Sequence, residues 1–234
     1  MKELTQELPK PMLPVQGRPI LEHIVEGLVG AGIREICLIT GWRAEVIEVH
    51  FGDGRRFGAQ ISYARQTVQD GTGKAPEYAK DLVGPSDFLL TYGDILVRPE
   101  TYQRMLARWR EGTFAGLLTV TEGEDVTKGG LNFFNGRFEL TRLVEKPSLA
   151  QVAELRATGW LKPGQPAWYN AGIYLFRPEL FDHTARLQKS PRGEYELTDA
   201  ISSLVAAGRI IAGLKIEGRW VDVRDPEVLA SLQG

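Results

Sequence analysis

Three short segments of the chain are apolar on both faces of an extended strand, and segments with helical spacing separate them. The three segments are "EICLIT" (35–40), "DFLLTYGD" (87–94) and "FAGLLTVTE" (114–122). A strand of this kind must be covered on both sides, and parallel strands joined through helices are covered in that way. The first half of the chain therefore predicts an α/β layer structure built on a parallel sheet.

The second half has a different pattern. Asn135-Gly136 lies between two alternating segments and is a strong short-range indication of a hairpin. The segment "WYNAGIYLF" (168–176) predicts a further strand, and Asp225-Pro226 predicts the cap and first position of a closing helix. The predicted fold class is a three-layer α/β domain with a Rossmann-like, mixed but mostly parallel sheet, formed by residues 1–234 as one domain.

Composition limits the classes of partner. The net charge of the 234 residues is −2, which gives no general attraction to nucleic acid or to anionic membranes. Any phosphate chemistry must therefore use a local cluster of cations or a metal. The chain has one cysteine, Cys37, which fits a reducing cytoplasm, and no apolar segment approaches the ~20 residues of a membrane span. The opening "MKELTQELPK" lacks the apolar region of a signal peptide. The sequence leaves the oligomeric state open, a homo-oligomer included.

A lysine stands between two prolines near the amino terminus, in Pro9-Lys10-Pro11. Proline fixes φ and removes an N–H donor, so this segment suits neither a central strand nor the interior of a helix. It predicts a rigid loop that presents one cationic side chain, either to a ligand or simply to solvent.

Several polar residues follow the predicted strands, and ligands of open parallel sheets bind beyond the carboxyl ends of the strands. These residues are Gln66, the Gly71-Thr72-Gly73 segment, Asp94, Glu145 and Asp222. Each has a structural alternative, because acidic residues cap turns, strand ends are commonly polar and glycines form turns. Their order and spacing carry more weight than any one of them. Together they predict a polar rim able to hold a metal, with Lys10 beside it.

With these segments in hand, the chain resembles the sugar-1-phosphate nucleotidylyltransferases (NDP-sugar pyrophosphorylases) over essentially its whole length. Six segments carry the resemblance in the family's order: "PKPMLPVQGRPILEHIVEGLVGAGI" (9–33), "YARQTVQDGTGKA" (63–75), "TYGDI" (91–95), "GGLNF" (129–133) with "VEKP" (144–147), "YNAGIY" (169–174) and "RWVDVRDPEVL" (219–229). The resemblance implies transfer of a nucleotidyl group from a nucleoside triphosphate, UTP or dTTP by preference, to a hexose-1-phosphate such as glucose-1-phosphate.

The resemblance also implies roles for individual residues. Lys10, Asp94 and Asp222 are the implied catalytic set, in which the two aspartates hold Mg²⁺ and the lysine neutralises the triphosphate. Nucleotide contacts are implied for Lys10, Gln66, Gly71, Thr72, Tyr92 and Gly93. Sugar-phosphate contacts are implied for Gly130, Glu145, Lys146 and Asn170, with Trp168 as a further candidate near the sugar. Residues up to about 125 form the nucleotide-binding half, and residues from about 126 to 234 form the sugar-binding half.

One departure from the family pattern is large. The family begins with a strand and a glycine-rich phosphate loop, and nothing of that kind precedes "MKELTQELPKP". The first strand of the sheet is therefore expected to be missing, with Met1 corresponding to an internal methionine of the family. In that case 35–40 and 87–92 do not hydrogen-bond to each other.

Two other functions remain open at this point. The first is a catalytically silent nucleotide- or sugar-binding regulatory protein on the same scaffold. The second is a metal-dependent glycosyltransferase of similar fold, for which an Asp-x-Asp after the strand is expected, and "YGDIL" lacks it.

Overall fold

The computed structural model describes residues 7–233 of the chain. The segment 1–6, for which the sequence predicts no signal peptide, lies outside the described residues. The helices within 7–233 are α1 Ile20–Gly30, α2 Ala44–Phe51, α3 Lys80–Val83, α4 Pro99–Arg110, α5 Leu149–Ala157, α6 Leu180–Thr184, α7 Leu197–Ala206 and α8 Pro226–Ser231. The strands are β1 Pro14–Val15, β2 Arg18–Pro19, β3 Glu35–Thr40, β4 Gln60–Arg65, β5 Phe88–Thr91, β6 Ile95–Val97, β7 Gly116–Thr121, β8 Gly130–Phe134, β9 Leu140–Glu145, β10 Trp168–Phe176, β11 Ile211–Lys215 and β12 Trp220–Asp222.

The largest sheet has six strands in the order β11-β7-β10-β8-β9, and β5 pairs with β10 as well. Strands β5, β7 and β8 are antiparallel to β10, β11 is parallel to β7, and β9 is antiparallel to β8. Four of the six strands, β5, β7, β8 and β11, therefore point in one direction. The prediction of a mixed, mostly parallel α/β sheet is confirmed.

The core lies on both faces of this sheet. Successive residues of a strand point to opposite faces, so Leu117 and Leu118 of β7 belong to different clusters. Leu117 packs in the cluster that contains residues of α1 and α4, whereas Leu118 packs with residues of α6 and α7. Both leucines are fully buried. This arrangement is the predicted three-layer structure.

Strands β3 and β4 form a parallel pair of their own. Within residues 7–233, β3 pairs with no strand other than β4, and β5 pairs with β10 alone. The expectation that 35–40 and 87–92 do not hydrogen-bond to each other is confirmed for this part of the chain. The predicted full burial of 87–94 is wrong, because all four residues of β5 are only partly buried in a strand that pairs along one edge.

The long strand β10 links the parts of the sheet that surround the polar rim. Its first residues pair with β8, its last residues pair with β5, and its register against β7 shifts between Asn170 and Tyr174. Gly172 lies in this irregular stretch with φ of +77°, and a Cβ there would come within 2.8 Å of the Tyr92 ring. Such bulges redirect side chains and are common beside binding sites. The bulge sets the position of Asn170.

Several sequence-based expectations about elements need correction. The Pro9-Lys10-Pro11 segment is one turn of 3-10 helix (Lys10–Met12) rather than a loop, because the missing N–H of Pro11 has no partner to lose in a first turn. Asp94 does not end a strand but lies in the turn between β5 and β6. The hairpin at Asn135-Gly136 and the closing helix with Asp225 as its cap are confirmed.

Candidate active site

Three charged residues converge on a cleft of about 460 Å³ at the rim of the sheet. Lys10 comes from the amino-terminal turn, Asp94 from the turn after β5, and Asp222 from the end of β12. Strand β12 pairs with β6 so that Asp222 lies opposite Ile95, and the N–H of Val223 donates to the carbonyl of Asp94 at 3.0 Å. The predicted convergence of the two aspartates and the lysine is confirmed.

The electrostatics of this cleft favour a cation. The ammonium of Lys10 forms an ion pair with Asp94, and both side chains are about one quarter exposed. Burial, followed by the nearby charge of Asp94, raises the pKa of the Asp222 carboxyl, while Lys10 opposes the rise. Arg224 also lies 3.9 Å from Asp222 but pairs with Glu124 at 2.5 Å, so the three carboxylates exceed the two cations by one negative charge when all are ionised. An added cation would relieve that charge.

The donor set at this cleft fits Mg²⁺. Magnesium is commonly held by one or two carboxylates together with substrate phosphates rather than by a full protein cage. Asp94 and Asp222 supply two such carboxylates on one cleft. Residues 7–233 contain no cluster of three or more histidine, cysteine or acidic side chains that could form a complete metal cage by itself. The set therefore suits a metal that is completed by phosphate oxygens.

Tyr92, Gly93 and Thr72 also line the cleft. Burial raises the pKa of Tyr92 to about 12, although hydrogen bonds with Tyr174 and Thr72 oppose the rise. Tyr92 thus remains a neutral phenol at physiological pH. A Cβ on Gly93 would come within 3.1 Å of the Pro11 ring, which explains the absence of a side chain there.

The glycines beside Thr72 have a structural role that the sequence does not indicate. The N–H of Gly73 donates to the carbonyl of Tyr195 at 2.7 Å, and a Cβ on Gly71 would lie 2.3 Å from that same oxygen. The N–H of Leu197 donates to the Thr72 hydroxyl at 3.2 Å. The N–H of Gly73 is therefore not free to bind a ligand. The segment instead approaches the start of α7.

Gln66 does not join the residues that line the cleft. Its backbone N–H donates to the carbonyl of Thr40 just beyond the β3–β4 pair, and its side chain is partly buried. The same cleft has no lining contribution from Gly71. Nucleotide contacts for these two residues stay predictions.

Three of the four residues implied to contact the sugar phosphate, Gly130, Glu145 and Asn170, form one row across the sheet. Gly130 pairs with Glu145 on β9, and a Cβ on Gly130 would lie 3.0 Å from Asn170 Cβ and 3.3 Å from Glu145 Oε2. The Asn170 Oδ1 accepts from the N–H of Gly172 at 3.1 Å and from the Tyr174 hydroxyl at 2.9 Å. Among the described residues, the buried Asn170 Nδ2 has no hydrogen-bond partner. The row therefore presents an unused donor beside a carboxylate.

Burial raises the pKa of the Glu145 carboxyl, and the neighbouring Glu196 adds to the rise. Lys146 and Arg192 oppose it, at 3.9 Å and 3.7 Å from the Glu145 Oε1 atom. The Lys146 backbone has φ of +40°, and its N–H donates to the carbonyl of Gly129. This unusual conformation turns the chain sharply after Glu145. Its ammonium is more exposed than the carboxylate beside it.

Sequence reasoning did not single out Arg192, which pairs with Glu196 at 2.5 Å and lies near Glu145. Its only signal was a Ser-Pro-Arg-Gly stretch ahead of a helix, which is typical of many turns. The expectation that Trp168 lies at the sugar row is not met. Trp168 lines a second cleft with Phe138, whose ring it contacts edge-on at 5.3 Å.

Comparisons with known proteins place the chain in a family. A family model described as Nucleotidyl transferase matches residues 1–232. The chain belongs to this family. It is 31% identical over 229 residues to the UTP–glucose-1-phosphate uridylyltransferase of Haloferax volcanii. The match covers 97% of this chain and 87% of that protein. It is 34% identical over 233 residues to the low-salt glycan biosynthesis nucleotidyltransferase of the same organism, and there it spans 97% of this chain but 60% of the relative.

A solved structure, UDP-glucose pyrophosphorylase complexed with UDP-glucose, has the same fold with a TM-score of 0.80. The two chains are 21% identical, and the match covers 97% of this chain and 89% of the other. Structural similarity at this identity establishes the fold of this family member. Separately, none of the helices described in residues 7–233 combines the length and apolar composition of a membrane span.

Proposed function

We propose that this family member transfers a nucleotidyl group from a nucleoside triphosphate to a hexose-1-phosphate, giving an NDP-sugar and pyrophosphate. The observation that carries the proposal is the convergence of Lys10, Asp94 and Asp222 on one cleft. Two carboxylates and one ammonium suit the charges of a triphosphate and a divalent cation.

The reaction is a direct displacement at phosphorus. A phosphate oxygen of the hexose-1-phosphate forms a bond to the α-phosphorus, and the bond from that phosphorus to the bridging oxygen of the pyrophosphate breaks. Because no covalent enzyme intermediate is needed, the protein contributes positioning and neutralisation of charge. Lys10 would neutralise phosphate oxygens of the nucleotide, and Lys146 would neutralise the phosphate of the sugar.

Asp94 and Asp222 would hold Mg²⁺ in this cleft. Bound there, the metal supplies positive charge to the triphosphate. Lys10 pairs with Asp94 in the structure, so the lysine must exchange this partner for a phosphate oxygen when the nucleotide binds.

The row formed by Gly130, Glu145 and Asn170 suits the hexose. The free Asn170 Nδ2 would donate to a sugar hydroxyl oxygen, and the Glu145 carboxylate would accept from a hydroxyl. Gly130 leaves the face of the row flat enough for a ring to approach. The Tyr174 hydroxyl, which donates to Asn170 Oδ1, fixes the orientation of the amide.

For the nucleotide we propose a pyrimidine, UTP or dTTP, with glucose-1-phosphate as the acceptor of the nucleotidyl group. Support comes from the resemblance of the segment with Gln66 and Thr72 to the family's base-contacting segment, and from the uridylyltransferase relative. A cytoplasmic location, a homo-oligomeric state, and separate nucleotide and sugar halves divided near residue 125 remain predictions.

A release assay tests the proposal directly. Pyrophosphate is measured with each common nucleoside triphosphate in turn against a set of hexose-1-phosphates, with and without Mg²⁺. The exposed Asp182→Asn is the matched control for Asp94→Asn and Asp222→Asn. We expect each of the two cleft variants to lose at least about 100-fold in turnover, because the lost charge faces the developing transition state.

Two outcomes contradict this function. Normal turnover of both cleft variants would exclude the proposed roles of the aspartates. Nucleotide binding with no pyrophosphate release from any substrate pair would instead support the alternative, a catalytically silent binding protein on this scaffold.

A further inference from the structure

A second cleft, of about 480 Å³, opens between the tip of the β8–β9 hairpin and the loop that leads into β10. Its aromatic wall consists of Phe133, Phe134, Phe138, Trp160 and Trp168. None of its lining residues lines the first cleft. It is therefore a separate concavity, and the proposed transfer reaction gives it no role.

One buried residue that lines this cleft carries an unsatisfied acceptor. Asn132 is 1% exposed, and its Nδ2 donates to the carbonyls of Gly130 at 3.3 Å and of Trp168 at 3.2 Å. These two carbonyls fix the orientation of the amide, because a reversed amide would place its oxygen against them. The Asn132 Oδ1 is buried and has no partner among the described residues. A buried acceptor of this kind destabilises the protein unless a ligand donates to it.

The walls of the cleft are built before any ligand arrives. The ring of Trp160 meets Phe133 edge-on at 5.2 Å between centroids, and the guanidinium of Arg142 lies 4.9 Å from the centre of the Trp160 ring. On the other side, Phe134 and Phe138 stack with a centroid separation of 4.3 Å. Aromatic rings held in this way offer rigid apolar surface at low conformational cost.

The loop that forms the outer wall is anchored to α5 at its first end and contains a hydrogen-bonded turn. The N–H of Leu161 donates to the carbonyl of Leu155 at the end of α5, and the N–H of Gln165 donates to the carbonyl of Lys162. Trp160 nevertheless remains 42% exposed, which is unusual for a tryptophan inside a packed protein. An anchored loop that keeps a large ring in contact with solvent is typical of a ligand wall.

The charges of the lining residues narrow the ligand class. Lys162 is the one charged residue that lines the cleft, and it lies on the exposed loop. The other polar contributions are the amides of Asn132, Asn135 and Gln165. Two further cations lie outside the lining, Arg142 over the Trp160 ring and Lys215 over the Trp168 ring, where Lys215 pairs with Glu122. The cations are thus peripheral to the cleft, and a purely apolar molecule would leave the Asn132 acceptor unsatisfied. A neutral molecule with apolar ring faces and several hydroxyl donors satisfies both requirements.

We propose that this second cleft binds a pyranose ring of a neutral carbohydrate. A hydroxyl of the ring donates to Asn132 Oδ1, its C–H face packs on the aromatic wall, and the amide of Gln165 meets the remaining hydroxyls. The cleft volume lies within the range of small-molecule pockets, about 300–1,000 Å³, and accommodates one or two rings. This inference is independent of the nucleotidyl-transfer proposal.

Binding is measured on the whole protein by following the tryptophan indole N–H signals in ¹H–¹⁵N spectra during titration with methyl α-D-glucopyranoside and with maltose. The five tryptophans give separate signals, so the response is assigned to a place in the molecule. We expect shifts at Trp160 and Trp168, with Trp42 unaffected. Glu145→Ala, in the row formed by Gly130, Glu145 and Asn170, is expected to leave these shifts unchanged.

Two variants test the contacts. Asn132→Leu removes the acceptor and is expected to weaken binding about tenfold, in keeping with loss of a buried hydrogen bond. Because Asn132 also holds two backbone carbonyls, Trp160→Ala provides an independent test at an exposed position, with Trp42→Ala as its matched control. We expect Trp160→Ala to weaken binding and Trp42→Ala to have no effect.

The proposal is overturned if millimolar sugar shifts neither indole signal, or if binding is unchanged in both Trp160→Ala and a folded Asn132→Leu protein. It is also overturned if UMP, but no neutral sugar, shifts the same two signals. Loss of sugar binding in Glu145→Ala alone would assign the response to the row formed by Gly130, Glu145 and Asn170 and contradict the inference. None of these outcomes alters the pyrophosphate-release test of the first cleft.

Discussion

Gly130→Ala tests the sugar row with the smallest change that the chain allows. The added methyl would lie 3.0 Å from Asn170 Cβ and 3.3 Å from both Asn170 Nδ2 and Glu145 Oε2. Optimal carbon contacts lie near 3.5–4.0 Å, so these neighbours must move by a few tenths of an ångström. Gly130 is not among the residues with positive φ, so the backbone itself accepts alanine without strain.

The expected cost of this crowding is about 1–3 kcal/mol, which is typical of an extra methyl in a packed site. If the row holds the hexose, about 1.4 kcal/mol of that cost appears as a tenfold rise in KM for the sugar-1-phosphate. The KM for the nucleoside triphosphate is expected to stay at the wild-type value. Steady-state pyrophosphate release, with each substrate varied in turn, separates the two constants.

Gly136→Ala is the matched control, because it lies in the same hairpin and a Cβ there has no neighbour within 4 Å. A thermal melt of both variants excludes loss of folded protein as the cause. An equal rise in both Michaelis constants would refute the argument that this row contacts only the sugar. Unchanged constants in a folded Gly130→Ala protein would show that the hexose lies elsewhere.

Three further predictions concern charge and stability. Lys10→Ala is expected to lower turnover by at least about 100-fold in the pyrophosphate assay, whereas Lys128→Ala, at an exposed position, is expected to have no effect. Near-normal turnover of Lys10→Ala would mean that Lys10 is merely solvated. Burial raises the pKa of Glu145 above its ordinary value of 4.5, so the native state binds the carboxyl proton more tightly than the unfolded state does. The contribution of Glu145 to the unfolding free energy therefore falls as pH rises from below 4.5 through the raised pKa. Glu145→Gln should therefore gain unfolding free energy relative to wild type between acidic and neutral pH in urea titrations, and a constant difference would contradict this sign. Asp225 accepts from the N–H of Val228 at 2.9 Å, so Asp225→Ala should lose about 1 kcal/mol in the same titration while Asp225→Asn loses little; equal losses would exclude the cap as the cause.

Local chemistry made parts of the fold predictable. Asn135-Gly136 predicted a hairpin because few other pairs accept the backbone of a tight turn, and β8 and β9 do form one. Strand β6 was not predicted, because three residues carry no measurable period and its pairing with β12 depends on a segment more than 120 residues away. The turn that contains Asp94 was not predicted either, because it exists only if β6 begins at Ile95.

The candidate site was also predictable only in part from the sequence. Lys10, Asp94 and Asp222 were predicted together because their residue types and order resemble a known family, and the cleft confirms their convergence. The partner of Gly73 could not be predicted, because its contact with Tyr195 is a tertiary one that no local pattern encodes. Trp168 was expected at the sugar because it lies two residues from Asn170, but two residues along a strand is ~7 Å, enough to reach a different cleft.

The separation of the β3–β4 pair from the six-stranded sheet also affects which part of the protein unfolds first. Residues 20–65 contain α1, β3, α2 and β4 in unbroken succession, and the β ladder of this segment closes within itself. Side-chain packing, such as that of Gly27 against the Tyr102 ring of α4, joins the segment to the remainder. Contiguous units whose backbone bonds are internal can exchange amide hydrogens by sub-global unfolding, at a lower free energy than the whole. The amides of β3 and β4 would then exchange as one cooperative group, ahead of those in β7 and β10, and a protease would reach this segment first.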